Sequence, residues 1–447
     1  MPHLPAEVLL NIANHVNDTR HKFNLALTCR HYYEVLIPVL YSEIRLSGPR
    51  AGGKAKNVKS LVQALLQKPG LAKFVRKLEI ASWGVKRCSS ARADAGREAA
   101  LRDFVGRLSR DEKKKESWIA DLRTGLPVAW VALLLFQLNE TLQELSLYVP
   151  RHLGAWEPHL KFIFEGSARR EAPFDTIVPF PNLERVFTIW ESHTHRDSDK
   201  YTCPLFTLPA LKAVSVVGWF ESRPEKGIEE YTLTPGSSGV THISVEQGRC
   251  PFGFAEVIAA CKELKSFRWL DDPMYIPGKG FSRPEKLLDS LQSAKTSLES
   301  LWLEFGLRSV NPWSNNLIGS FADFTALTRL RITARQLFKT NNPTTLHDVL
   351  PEKLVSLYLG GFDDRNKPEV SHIHELQSLV AVNSHLQQLH LECEAWCAEW
   401  GSCWYRESDY RSLIAGLSVE CKEKGIDFRV VHSWRWGVPR IYDGFFV

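Results

Sequence analysis

The chain has 447 residues, 44% hydrophobic and 24% charged, enough apolar material for a large core or an extended repeat array. Its net charge of +5 is small for this length, and the concentrated basic stripe that nucleic-acid binding brings is missing. There is no N-terminal apolar signal segment, and the longest apolar run, Val128 to Phe136, is too short to span a bilayer. These features lead us to expect a cytoplasmic or nuclear protein with no membrane or nucleic-acid partner, whose nine cysteines are reduced and buried.

The first stretch, Leu4 to Leu46, reads as three short helices and a strand. Pro5 suits a first helical position, and Glu7 lies in the first turn, where the helix dipole favours a negative charge. Val8, Leu9, Ile12 and Val16 follow at helical spacing as one apolar stripe, broken at Asn17-Asp18-Thr19. Phe23, Leu25, Ala26 and Leu27 form a second apolar segment, and a third, Tyr32 to Val39, is interrupted by Pro38. Leu40, Ile44 and Leu46 then alternate with polar residues as a strand leading onward. So small a unit cannot hide all these apolar side chains, and Leu4, Pro5, Val8, Leu25 and Leu27 are expected to leave a greasy face, the mark of a partner site.

Three blocks of this stretch resemble an F-box: Leu4-Pro5-x-Glu7-Val8-Leu9-x-x-Ile12, then Leu25-Ala26-Leu27-Thr28-Cys29-Arg30, then Pro38-x-Leu40-Tyr41-x-x-Ile44-x-Leu46. The last is similar to the ending common in fungal F-box proteins. F-box segments bind the Skp-type adaptor of Skp–cullin–F-box ubiquitin ligases. The resemblance therefore implies an adaptor-binding role for Leu4, Pro5, Glu7, Val8, Ile12, Leu25 and Leu27, and a link through the adaptor to cullin.

Beyond it, Gly48 to Lys59 reads as a Gly/Lys-rich loop and Ser60 to Gln67 as a short helix ended by Pro69-Gly70. An apolar-x-x-apolar-x-apolar pattern then starts at Val75 and returns at Leu142, Leu211, Val240, Leu264, Leu298, Leu327, Leu354 and Leu386, with Leu183-x-x-Val186 as an imperfect member. Such a recurrence is the signature of leucine-rich repeats, each a strand plus a returning helix or loop that buries its apolar face only by stacking on neighbours. Phe252 to Cys261, Pro284 to Ala294 and His372 to Asn383 read as returning helices. The asparagine that usually follows the strand is absent, with Gly306, Phe362 and Glu394 in its place, so the array is expected to be irregular. A charged insertion at about 84–125 reads as partly helical and partly mobile, and 191–201 and 221–239 read as polar loops. The expected fold is α/β: a three-helix F-box-like domain over 1–46, then a curved leucine-rich-repeat solenoid with a parallel sheet over 47–447, capped by about 394–447.

Alternate strand residues face opposite sides. The residue between the last two apolar positions of each repeat should therefore line the sheet's free face: Glu79, Ser146, Ser215, Ser244, Arg268, Trp302, Arg331, Tyr358 and His390. At a strand spacing of about 4.8 Å these would form a continuous track. Its later part, Arg268, Trp302, Arg331, Tyr358 and His390, suits carboxylate or phosphate groups flanked by apolar ones, and is expected to bind substrate. The aromatic group Trp396, Trp400, Trp404, Tyr405, Trp434 and Trp436, with Arg435, reads as a cap on the last repeat. Cys393, Cys397 and Cys403 with His390 do not have zinc-site spacing, and His193, His195, Asp197 and Asp199 read as a solvated loop, so no metal and no cofactor are expected.

No nucleophile elbow, phosphate-cradling loop, zinc-protease or dinucleotide motif occurs. With a repeat array this points away from an enzyme, toward a substrate-recognition subunit holding a protein substrate on its repeats. The alternatives are an adaptor-binding scaffold outside a cullin complex and a small-molecule-sensing receptor of the same architecture.

Overall fold

The computed structural model describes residues 4–16, 18–46, 56–81, 95–149, 157–190, 201–221, 232–271, 282–305, 318–338, 345–362, 370–395 and 408–434. The fold is α/β. Twelve strands follow one another through the sheet in chain order, and every described pairing is parallel. They are β1 (Glu43–Leu46), β2 (Lys77–Ile80), β3 (Glu144–Val149), β4 (Arg185–Trp190), β5 (Ala213–Val217), β6 (His242–Gly248), β7 (Ser266–Asp271), β8 (Ser300–Glu304), β9 (Arg329–Thr333), β10 (Ser356–Phe362), β11 (Gln388–Ala395) and β12 (Asp427–Trp434). The chain divides into two compact units, residues 1–242 with 260–262, and 243–259 with 263–447.

The repeat pattern produces this sheet directly. The second and third apolar positions of each repeat are buried: Leu78 and Ile80, Leu145 and Leu147, Val214 and Val216, Phe267 and Trp269, Leu301 and Leu303, Leu357 and Leu359. The first apolar position is buried too, as at Leu142, Leu211, Leu298 and Leu354. The carbonyl of the next residue then accepts two successive N–H groups from the following repeat. In the first unit Arg76, Gln143, Glu184 and Lys212 do this, and in the second Lys265, Glu299, Thr328 and Val355. This rung of paired bonds satisfies backbone groups that burial would otherwise leave costly.

The first unit begins with α1 (Ala6–His15), α2 (Thr19–Ala26) and α3 (Arg30–Ser42). Pro5 is the N-cap of α1, in an extended conformation, one position earlier than its residue type suggested. The α3 helix runs through Pro38 to Ser42, four residues beyond the break expected there. It hands the chain straight to β1, which pairs with β2. Then come α4 (Lys56–Gln67), α5 (Ala95–Leu108), α6 (Glu112–Arg123), α7 (Pro127–Gln137) and α8 (Glu157–Arg169). The 84–125 insertion, expected to be partly mobile, is built over its described part as α5 and α6. Leu101, Phe104, Val105, Trp118, Ile119 and Leu122 bury their side chains there, which a solvated charged loop could not do. The α7 helix, apolar from Pro127 to Phe136, is buried from Pro127 through Leu135 and forms the floor on which α4, α6 and α8 pack. No single helix among the described residues is long and apolar enough to cross a membrane.

In the second unit the returning segments are Ala255–Ala260, Pro284–Leu291, Ala334–Leu337, Leu346–Val349 and Val370–Val382. The expected C-terminal cap holds one more repeat, the helix Ser408–Glu423 followed by β12. Its Ile426-Asp-Phe428-Arg-Val430 lacks the two-residue first gap of the other repeats, which hid it from the pattern. Trp396, Trp400, Trp404, Tyr405, Arg435, Trp436, Cys397, Cys403, His193, His195, Asp197 and Asp199 lie outside the described residues, as do the side chains of Cys393 and Trp434.

Candidate functional site

Two features stand out: the surface of the N-terminal helices and the free face of the sheet. The helices share a small core of Leu9, Ala13, Ala26 and Leu36, with Leu25, Tyr32, Val35 and Leu40 packed against it. Asp18 caps α2 through its carboxylate, which accepts from the Arg20 N–H at 2.7 Å. His31 on α3 reaches the Leu4 carbonyl at 3.3 Å and ties the start of α1 to the start of α3. Only Leu9 and Ala13 of α1 face inward. The stripe expected from Val8, Leu9, Ile12 and Val16 is therefore divided: Leu9 enters the core while Val8 and Ile12 point outward.

Val8 and Ile12 lie one turn apart on α1, Leu4 precedes the Pro5 cap, and all three are exposed, Val8 by 44%. Phe23 on α2 and Leu27 at its C-cap are likewise one turn apart, with Leu27 61% exposed. Pro5 and Glu7 are exposed as well. Leu25 is half-buried against the helical core.

Within each unit, the strand register places residues of the predicted track in a row. Arg45, Glu79, Ser146, Phe187 and Ser215 are partners across β1–β5. Arg268, Trp302, Arg331, Tyr358 and His390 are partners across β7–β11, and Arg429 of β12 extends the row. Arg45, Phe187 and Arg429 were missed, because β1 lies before the repeat pattern begins, one repeat is imperfect and the last is unlike the rest.

The two halves differ in character. In the second unit the row was expected to be an open track, but most of it is closed upon itself. Trp302 is 2% exposed and Tyr358 8%. The guanidinium carbon of Arg268 lies 4.0 Å from the centre of the Trp302 ring. Arg331 lies 4.0 Å from the same ring and 3.9 Å from that of Tyr358. Tyr358 meets His390 edge-on at 5.8 Å.

Each arginine also has carboxylate partners, because a desolvated cation must be paired. Arg268 donates toward Glu246 at 3.1 Å, and Arg331 toward Glu392 at 3.1 Å with Glu304 at 3.9 Å. Glu392 crosses from β11 to Arg331 on β9 over Gly360 of β10, where an added Cβ would lie 2.9 Å from its Oε2. Burial raises the Glu246 carboxyl above its ordinary range and Glu304 adds repulsion, while Arg268 pulls the other way. Burial likewise lowers the His390 imidazole, against Asp427 at 3.9 Å. The carboxylates that close the row sit on strands other than those of the arginines, out of reach of a repeat-by-repeat reading.

In the first unit the row is partly open. Beside it runs a ladder of alternating charge, Glu43, Lys77, Glu144 and Arg185, on successive strands. Lys77 pairs with Glu144 at 3.0 Å, and Arg185 pairs with the same carboxylate. Phe187 lies between the short side chains of Ser146 and Ser215, and a shallow cleft of about 250 Å³ opens over them. Among the described residues no group of three His, Cys, Asp or Glu side chains is arranged to hold a metal ion.

Stacked strand-and-return units with a buried apolar row and a free sheet face define a repeat protein built to present surface. Residues 50–390 match the family profile of the leucine-rich repeat domain, and the chain belongs to that family. No curated protein matches the chain. Leucine-rich repeats are in general protein–protein interaction modules rather than enzymes, and protein partners follow from the fold. The three N-terminal helices precede the matched span.

Proposed function

We propose that this chain is the substrate-recognition subunit of a Skp–cullin–F-box ubiquitin ligase. In this reading the N-terminal helices dock on the Skp-type adaptor, and through it on cullin, while the repeats hold a protein substrate. The observation that carries the reading is the exposed apolar surface made by Leu4 just before α1, Val8 and Ile12 on α1, Phe23 on α2 and Leu27 at its C-cap. They lie within the segment whose three blocks resemble an F-box. A unit with four core residues that leaves seven large apolar side chains exposed, Leu10 and Tyr33 among them, is shaped for a partner.

Fully burying one such side chain contributes about 1.5–3 kcal/mol, so two or three of them supply a large part of a micromolar affinity. Pro5 sets the direction in which α1 leaves its cap, and Glu7 offers a charge beside the stripe. The half-buried Leu25 supports the patch from its edge.

The substrate lies on the partly open sheet face of β1–β5, around Phe187, Ser146 and Ser215. The stacked row Arg268, Trp302, Arg331, Tyr358 and His390 acts by holding the second unit's face in one shape, its charged groups being spent on Glu246, Glu392 and Glu304. The chain does no chemistry. It raises the effective concentration of substrate lysines near a charged ubiquitin-conjugating enzyme brought by another subunit.

The test is affinity purification of the intact chain beside a Leu4→Ala/Pro5→Ala variant. The intact chain is expected to bring down adaptor and cullin, and the variant neither, with unchanged circular dichroism. Retention of the adaptor by the variant would overturn the reading. Adaptor without cullin on the intact chain would favour a scaffold outside the ligase.

A further inference from the structure

The helical side of the first unit carries a second concave feature. The α6 and α8 helices both lean on the buried α7, and a cleft of about 540 Å³ opens between them. That is within the range of small-molecule sites, about 300–1,000 Å³. Lys114, Ser117 and Trp118 lie three and four residues apart and so share one face of α6. His159 and Phe162 face them from α8.

The wall of the cleft is aromatic. Trp118 packs edge-on against Phe162 at 5.1 Å and lies 4.6 Å from the His159 ring. Trp118 and His159 are 4% and 6% exposed, and His159 is fixed by Asp121 at 3.0 Å. The rim is polar: Glu171 on it has no ion-pair partner among the described residues, and the other carboxylate is matched. Glu165 takes both Lys161 at 3.4 Å and Arg169 at 2.8 Å. Lys114 has no ion-pair partner among the described residues, and the Ser117 hydroxyl one turn along has no hydrogen-bond partner among them. Gly166 lines the cleft from α8.

We propose that the cleft between α6 and α8 binds a small amphipathic carboxylate, its flat apolar body against Trp118 and Phe162 and its carboxylate on Lys114 and Ser117. Aromatic faces reward a flat apolar group. Lys114, the one cation of the lining with no ion-pair partner among the described residues, stands beside a hydroxyl donor and selects an anion at one end, with a charge-assisted hydrogen bond that a neutral analogue cannot make. The inference does not rest on the adaptor reading, since the cleft and the exposed apolar surface involve different helices.

The probe is 1-naphthoate, titrated into the full chain and followed by ligand-observed saturation-transfer NMR, with neutral 1-naphthalenemethanol beside it. Saturable binding of naphthoate is expected, tighter than that of the alcohol. Lys114→Glu is expected to weaken naphthoate about ten-fold or more and leave the alcohol unchanged. Ser117→Trp is expected to fill the cleft and abolish both. Both positions are exposed, so the thermal melts should match the wild type. Absence of saturable naphthoate binding, equal binding of the two probes, or naphthoate binding unaltered in Lys114→Glu would overturn the proposal.

Discussion

Breaking the Arg331–Glu392 pair should destabilise the protein far more than removing both partners. Both side chains are buried, and they meet at 3.1 Å. Losing one partner of a buried pair costs about 3–5 kcal/mol, because the other charge stays desolvated and alone. Glu392→Gln belongs at the low end, about 3 kcal/mol, since Arg331 keeps the partly exposed Glu304 at 3.9 Å. Arg331→Met belongs higher, because it strips Glu392 of that cation and empties the slot between the Trp302 and Tyr358 rings of charge. The double variant Arg331→Met/Glu392→Leu removes both buried charges, leaves only the partly exposed Glu304 without its cation, and should lie within about 1–2 kcal/mol of the wild type.

Urea unfolding followed by circular dichroism measures all four proteins. On the thermal scale a 3 kcal/mol loss corresponds to a fall in Tm of about 3–7 °C for a chain or unit of this size. Two results would refute the reasoning. One is Glu392→Gln within about 0.5 kcal/mol of the wild type, the level of an ordinary surface substitution. The other is a double variant as unstable as the sum of the singles.

Three further outcomes are expected. Gly253 has φ +88°, and an added Cβ would lie 2.4 Å from the Lys286 carbonyl oxygen, so Gly253→Ala should cost more than about 2 kcal/mol. Gly236, at φ +67° with nothing within 4 Å, should cost only about 1 kcal/mol on the same scan. Burial chiefly lowers the His159 imidazole below its ordinary value, although Asp121 opposes the shift. The unfolded chain then takes the proton first, so the stability His159 contributes is complete above the unfolded value of about 6.5 and falls as pH drops through it toward the folded value. A Tm-against-pH series on the wild type and His159→Gln should show that acid slope shrink in the variant. Burial also pushes the Cys261 thiol up to about 12. In the folded protein it should therefore react with iodoacetamide far more slowly than after denaturation, as read by peptide mass analysis.

The strand row was legible because its period lies within single repeats. Leu145 and Leu147, or Leu357 and Leu359, announce their own burial, and the residue between them must then face the other way. The fate of that residue was not legible. Arg268 and Arg331 read as open ligands until Glu246, Glu304 and Glu392 arrive from other strands, and nothing within Leu327 to Ile332 encodes their approach. The same limit divided the α1 stripe. Val8 and Leu9 are equally apolar, but which of them turns inward depends on where α3 places Leu36 and where α2 places Ala26. Pro38 misled in the opposite direction. Its lost backbone bond is a local cost, and the continuity of α3 into β1 and the β1–β2 pairing outweigh it. The charged sequence around Lys113 to Glu116 hid the apolar face of α6, because Trp118, Ile119 and Leu122 follow it only afterwards.

The central claim is that the N-terminal helices form an adaptor-docking surface. Its most direct test is titration of the purified full-length chain with a purified Skp-type adaptor, followed by size-exclusion chromatography with light scattering. The account predicts a one-to-one complex that Val8→Asp/Ile12→Asp, a change confined to exposed positions of α1, abolishes without altering the melt. Elution of the wild-type chain and the adaptor as separate species at micromolar concentration would contradict it.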